Sequence, residues 1–463
     1  MKYRRFIGPA LRLSSLCAVL AGVLVLMYWS RIDDPRFYRF LHTAPGQFLA
    51  RTFRWYGAVP DVPAAEKPES RMSRKERAVK ARLVEELRKS MPTHRLVFRG
   101  GESMTGWVLE ERPGEVLFTE TYGSSGSLFM KVGRRRILRI EPLTNAPPAV
   151  TYRDVRFQME FERMSLYQRP PYTVLTDEDF FRVEKYVQAL QDLHAQFVRA
   201  FGPLLVHASR GDGIQVLFFS DEDPYRSYQA KYAPRMADSS GFYSPWVDRL
   251  VVFDQNASDR IRRLRAKVQA EEERVRQSRL GAEANERAAA WRAEMERDIA
   301  RFAEAQTLAA LRHEGAHQLL FTYGVHSENR MENEWLVEGL ASYCESPRLG
   351  DREPVRAAVL RKAAAIGGLM PLADLVNLRS RDGLQALGSA DRVELGYDQA
   401  WGLVDFLMQE DRRPRFFAYV EYVRDPRNFR EVRGMAAMDL LCRFLETTPA
   451  GLRAQWEEYV ARL

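Results

Sequence analysis

Leu311-Arg312-His313-Glu314-Gly315-Ala316-His317-Gln318-Leu319-Leu320, followed 21 residues after His317 by Glu338 in Trp335-Leu336-Val337-Glu338-Gly339-Leu340-Ala341-Ser342-Tyr343, is the stretch on which the reading of this chain turns. Residues four apart lie on one face of a helix, so the imidazoles of His313 and His317 can reach a single metal ion, with Glu314 projecting beside them. Zinc suits such nitrogen ligands, and a catalytic zinc takes three protein ligands and keeps one position open. Leu336, Leu340 and Tyr343 follow a helical period, which places Glu338 on a second helix able to cross the first. The stretch from Tyr323 to Asn333 is long enough to reverse the chain direction. Taken alone, the first segment could be a helix whose two histidines cap it or fill a core. The second segment, at this spacing, argues against that.

Upstream, the helical period continues back through Leu308 and Ala309 into residues 256–304, a stretch of Ala, Arg and Glu with sparse apolar residues. These fall in two sets, Ile261, Leu264, Val268 and Val275, then Trp291, Met295, Ile299 and Phe302, with Leu280-Gly281 between them. That pattern predicts a helical hairpin. Its charges largely cancel, which favours a solvated insertion over a protein-docking surface. Residues 150–255 read as a mixed α/β unit. It has strands at 172–175, 214–219 and 249–253, a helix at 180–201 stopped by Gly202-Pro203, and a turn at Ser239-Ser240-Gly241 entering one more strand.

Over residues 92–145 the period changes to two: Leu96 and Phe98, Trp107 and Leu109, Val116 and Phe118, Leu128 and Met130, then Ile137 to Ile140. Gly100-Gly101, Pro113-Gly114 and Gly123-Ser124-Ser125-Gly126 punctuate them, so five short strands closing into a small barrel are expected. A structural spacer and a binding module are equally compatible with this pattern. Arg134-Arg135-Arg136 reads as a solvated turn, because the aromatic motifs of RNA binding are missing. Residues 31–91 predict a Pro-punctuated linker and a charged stalk helix from Ser73 to Ser90 with Val79, Leu83 and Leu87 on one side.

The chain has 463 residues, three cysteines, 46% hydrophobic residues and a net charge of +8. Those figures exclude a disulfide-stapled miniprotein and a chain disordered along its whole length. Residues 1–39 carry seven Lys and Arg against two Asp, a balance of +5. The excess of positive charge is therefore membrane topology rather than a nucleic-acid surface. Between those charges runs an apolar segment from Leu13 to Trp29, long enough for a thin or untilted span. No small-x-small cleavage site follows it, and Tyr28-Trp29 form an interfacial aromatic pair. Residues 1–30 are read as an uncleaved anchor with the N-terminus in the cytosol and the body outside it, in the periplasm; cleavage would make the protein secreted. Cys17 fits a lipoprotein box poorly, and Cys344 and Cys442 read as two buried thiols.

HExxH followed about twenty residues later by WLxEGxA resembles the gluzincin metallopeptidases, the thermolysin and aminopeptidase N relatives, and looks closest to bacterial envelope proteins of unknown function that keep this core. The resemblance spans roughly Thr173 to Leu463, and its specific part is His313 to Tyr343. It implies an α+β chain with a gluzincin-like catalytic unit, its zinc-binding part at 305–463; the barrel at 92–145 resembles, on pattern alone, the SH3-like or Sm-like accessory modules of bacterial envelope proteins, and the transmembrane anchor is read from the apolar segment. The gluzincin resemblance also implies one Zn2+ held by His313, His317 and Glu338, with Glu314 as general base acting on a peptide or protein substrate. Gly396-Tyr397-Asp398-Gln399-Ala400-Trp401 opens an apolar helix, and Tyr397 matches the position at which aminopeptidase N relatives place an oxyanion-stabilising Tyr, although Gln399-Ala400 replaces the usual Lys-Gly. A plain helix-start Tyr is the other reading. Glu345 is a candidate for orienting a ligand, with a solvated helix carboxylate as its alternative, and His326 and Asn333 are less specific still. The resemblance also makes the strand after Gly241 a candidate edge for an extended peptide, with an ordinary sheet strand as its alternative. The aminopeptidase anchor Gly-x-Met-Glu-Asn is missing, which points to an endopeptidase. The rival reading is a catalytically inactive envelope scaffold that binds a protein partner through the barrel or the helical hairpin.

Overall fold

The structure, a computed structural model, describes residues 69–89, 91–119, 130–143, 149–206, 213–233, 239–245, 247–278, 281–326, 333–378, 384 and 387–463. The anchor expected at 1–30 and the linker up to residue 68 lie outside these residues. Among the described residues no helix is long and apolar enough to cross a membrane. The architecture is mixed α+β, with two five-stranded sheets and many helices.

Helix α1 (Arg74–Lys89) precedes β1 (His94–Phe98), β2 (Ser103–Glu111), β3 (Glu115–Thr119), β4 (Met130–Gly133) and β5 (Ile137–Pro142). The five strands form an antiparallel sheet of order β4-β3-β2-β1-β5. Alternation buries Leu96, Val116, Phe118, Val132 and Ile137 in a core of their own. Two expected core residues face water instead. Leu109 is 54% exposed because it is the extra residue of a bulge: Val108 pairs with Phe118, and Glu110 already pairs with Leu117. Leu138 is exposed as well, one residue past the inward Ile137. Arg134–Arg136 is a short exposed turn between β4 and β5, with Arg134 paired to Glu111 at 2.6 Å.

The second unit adds α2 (Tyr152–Glu160), β6 (Ser165–Arg169), β7 (Tyr172–Thr176), α3 (Phe180–Phe201), β8 (Ile214–Phe219), α4 (Glu222–Tyr232), β9 (Gly241–Ser244) and β10 (Arg249–Phe253). Its sheet has the order β6-β7-β8-β10-β9, with three parallel central strands and an antiparallel strand on each edge. The central strands are buried on both faces, as their largely apolar runs Val174-Leu175, Val216 to Phe219 and Leu250 to Phe253 require. Val174, Val216 and Val252 face α3 and the helices that follow, while Leu175, Leu217 and Val251 face α1, α2 and α4. The helix expected as a free stalk is therefore part of this unit: Leu83 and Leu87 of α1 join Val155, Phe157 and Leu217 in one core. The α2–β6 pair was not anticipated, although Thr151 and Asp154 close a capping box at the start of α2.

The remaining helices are α5 (Asp259–Gln277), α6 (Ala282–Thr322), α7 (Glu334–Tyr343), α8 (Pro354–Ala365), α9 (Leu372–Asn377), α10 (Ala390–Leu407), α11 (Arg413–Arg424), α12 (Phe429–Gly434), α13 (Ala437–Phe444) and α14 (Pro449–Arg462). Helices α5 and α6 form the hairpin, turning at Gly281, whose φ of 98° suits glycine. Arg265–Glu296 at 3.2 Å and Arg292–Glu272 at 2.7 Å tie its arms together. The second arm and the His313–His317 segment are one continuous helix of 41 residues, buried only from Ala303 onward. It is about 61 Å long at 1.5 Å per residue. Both Cys344 and Cys442 are free, buried thiols.

Candidate metal centre

Packing aims the α6 imidazoles. Gly315 sits against α3 and β10, where an added Cβ would meet Leu190 at 2.9 Å and Leu193 at 3.3 Å, so that side of the helix is pressed onto the unit beneath. The opposite side carries His313 and His317 towards α7. Close approach of α10 to α7 sets the position of α7, because at Gly339 an added Cβ would lie 2.6 Å from the Ala400 carbonyl oxygen. Glu338, one residue earlier, meets both imidazoles.

Nε2 of His313 lies 3.2 Å from Nε2 of His317 and 3.2 Å from Oε2 of Glu338, and the His317–Glu338 separation is 3.5 Å. Zinc bonds of 2.0–2.1 Å in a tetrahedron give ligand–ligand edges of about 3.3 Å. The three donor atoms thus stand at the separations of three corners of a zinc tetrahedron, and their chemistry, two imidazole nitrogens and a carboxylate oxygen, suits that ion. Without the ion's charge, burial opposes a charged His313, but the hydrogen bonds its ring donates to Glu338 and Glu345 outweigh it and raise its pKa well above the ordinary value. Burial likewise works against an ionised Glu338, and the neighbouring His317 and His313 hold its pKa well below the usual carboxylate range.

Glu345 stands behind the trio. Its Oε1 is 2.7 Å from His313 Nδ1, and its Oε2 accepts from Arg356 Nη2 at 2.8 Å, so it fixes the ring that offers Nε2 to the metal. Burial would raise its pKa, but His313 and Arg356 keep it lowered. Arg356 continues to Asp398, with Nε 3.4 Å from Oδ1. Arg312 is buried beside the histidine it precedes, and its Nε donates to the carbonyls of Cys344 at 3.0 Å and Glu345 at 2.9 Å. That clamps the end of α7 to α6. Of these supports only Glu345 stands out as a candidate in the sequence. Arg312 left a signal, a charged residue inside an apolar helical run, whereas Arg356 and Asp398 come from segments that spacing does not connect to the site.

Glu314 is 8% exposed, and its Oε2 accepts the backbone N–H of Tyr243 at 2.8 Å. The expected strand after Gly241 is thus the edge strand β9, and it holds the carboxylate expected to act as base. Asn333 serves architecture: its side-chain amide donates to the Val376 carbonyl and ties the start of α7 to α9. His326 is 2% exposed, neither ring nitrogen has a hydrogen-bond partner among the described residues, and its ring packs on Phe321 with centroids 5.4 Å apart. Burial, reinforced by nearby His317, lowers its pKa to about 3, so it is neutral.

Tyr397 does not open its helix, which begins at Ala390; it lies in the second turn of α10. With Glu345, Arg356 and Asp398 it borders a cavity of about 1410 Å³ between α6, α8 and α10. Glu345 therefore serves both places, touching His313 on one side and the cavity on the other.

Residues 307–427 match a family described as a protein of unknown function (DUF1570). The matched segment contains every residue of the centre, from Arg312 to Asp398. No curated protein matches the chain.

Proposed function

We propose that the chain is a zinc-dependent metallopeptidase of the gluzincin type, an endopeptidase carried by an SH3-like module and held at the membrane by residues 1–30 with its body outside the cytosol. The observation that carries this reading is the set of 3.2, 3.2 and 3.5 Å separations among His313, His317 and Glu338, beside the buried carboxylate of Glu314. Zinc held by those three residues would supply Lewis acidity and bring the ionisation of water close to neutral pH.

The chain's own groups would do the rest. Glu314 would accept on Oε1, since the Tyr243 N–H occupies Oε2, the proton released as water adds to the peptide carbonyl, and would deliver it to the amine nitrogen as the C–N bond breaks. Glu345 and Arg356 keep the His313 ring in one orientation. An extended peptide would add along β9, the sheet edge beside the base, through backbone groups other than the Tyr243 N–H that Glu314 holds. Tyr397, bordering the cavity, is the candidate hydroxyl for the oxyanion.

The test is metal content and cleavage of a peptide library by the full-length protein, with and without Glu314→Gln. One zinc per chain in both proteins is expected, with turnover lower by about 10²- to 10⁴-fold in the variant. Absence of stoichiometric zinc would overturn the site. Zinc with no cleavage even by the unmodified protein would favour the scaffold reading.

A further inference from the structure

The cavity beside the centre has a chemical character at odds with the rest of the molecule. With +5 of the chain's +8 in residues 1–39, residues 40–463 carry a net charge of about +3, yet this cavity is lined by six carboxylates and three guanidinium groups. Arg312 is committed to two carbonyls, and Arg356 is shared between Glu345 and Asp398. Glu353 at the start of α8 keeps a buried Oε2 with no partner among the described residues, and Glu394 stands exposed on the facing turn of α10. These carboxylates crowd one another: burial first, then Glu394, Glu345 and Glu353, push the Asp398 pKa up to about 6 in spite of Arg356. The lining also has an apolar part. Phe302, Val355 and Val359, three of the nine large apolar side chains that the described residues leave exposed, all border this one cavity. Large apolar side chains beside the carboxylates of Glu353 and Glu394, which have no ion-pair partner among the described residues, complement a segment that is itself both apolar and cationic.

We infer that this cavity is the substrate subsite on the Glu345 side of the metal centre, and that it selects peptide segments pairing a Lys or Arg with a bulky apolar residue. The inference rests on the metallopeptidase reading and specifies the substrate class of the same site. Glu353 and Glu394 receive the cationic side chain, and Phe302, Val355 and Val359 receive its apolar neighbour. A cavity of about 1410 Å³ exceeds the 300–1,000 Å³ usual for small ligands and accommodates several residues of a chain.

Two capped decapeptides serve as probes, identical except for a central Leu-Arg-Lys-Phe in one and Leu-Glu-Glu-Phe in the other. Calorimetry on full-length Glu314→Gln protein measures binding without turnover, and kcat/KM is measured on the unmodified protein. The cationic peptide should bind about tenfold more tightly at low salt, a difference that added salt erodes. Adding Glu353→Gln and Glu394→Gln together should reduce the preference to less than about threefold while zinc content and the melting temperature stay unchanged. Equal binding of the two peptides, or a preference that survives the double substitution, would overturn the inference. The salt titration on otherwise unaltered protein keeps the test decisive if the substituted chain folds poorly. The two readings fail separately. Cleavage without charge preference removes the subsite and leaves the peptidase, whereas cationic preference in binding without cleavage of either peptide by the unmodified protein removes the peptidase and leaves the cavity as a peptide-binding site with that preference.

Discussion

Glu345 links the metal centre to the cavity, and its two oxygens have separate partners, His313 on one and Arg356 on the other. Glu345→Gln keeps the shape but removes the charge that both partners answer. Zinc affinity, measured by chelator competition, should fall by about 10- to 100-fold with the fold intact; an unchanged affinity would mean that the His313 ring is held by packing alone. Asp398, one ion pair further out, makes a prediction about pH. Its folded pKa is raised from 3.8 to about 6, so the native state keeps a proton that the unfolded chain has already released. Its contribution to stability is fully present below about pH 4 and is lost as pH rises towards 6. Asp398→Asn should flatten that slope in urea melts compared between pH 4 and pH 7, and should be no less stable than the natural chain at pH 7. A slope unaltered by the substitution would place the titration elsewhere.

Helices and strands bring these side chains together by contacts that spacing hints at without defining. The approach of α7 to α10 rests on Gly339, and Gly339→Ala would push a methyl group against the Ala400 carbonyl at 2.6 Å. The expected cost is about 1–3 kcal/mol in denaturant melts, with weaker zinc binding because Glu338 moves with its helix. Full stability with normal zinc affinity would show that α7 can shift freely. The i, i+4 histidines and the glutamate on a second amphipathic helix were legible because both patterns are local. So were the central strands β7, β8 and β10, whose apolar runs are too short for helices. What escaped was whatever depends on a partner element. Leu83 and Leu87 mark one side of α1 as apolar, but nothing in their spacing says that this side covers the sheet rather than stands free. Leu109 keeps the period of its strand and still faces water, because the bulge beside it resets the alternation. Tyr397 belongs to a helix that begins earlier than its apolar stripe suggests.

At the scale of the molecule, stability is unevenly distributed. In α5 only Ile261 is buried, and α6 has no buried residue before Ala303, so the hairpin adds surface rather than core. Amide exchange should be fast through α5 and the first half of α6 and slow from Ala303 to Thr322. Uniform protection along the whole helix would show that the arm is covered in solution. Replacing residues 263–299 by a short glycine-containing turn should leave zinc affinity within about threefold and lower the melting temperature by only a few degrees.

The unbroken run from the hairpin tip to His317 also constrains how this chain can change. Each residue of a helix turns the chain by 100°, so a single insertion or deletion between Ala303 and His313 would swing the arm by that angle against the anchored imidazoles, or swing the imidazoles away from Glu338. Upstream of Ala303 the arm is registered, among the described residues, only against α5, through Arg265–Glu296 and Arg292–Glu272, so whole turns can be gained or lost in the two arms together with no effect on the ligands. Length variation should therefore be confined to the two arms, with the ten residues before His313 fixed in number.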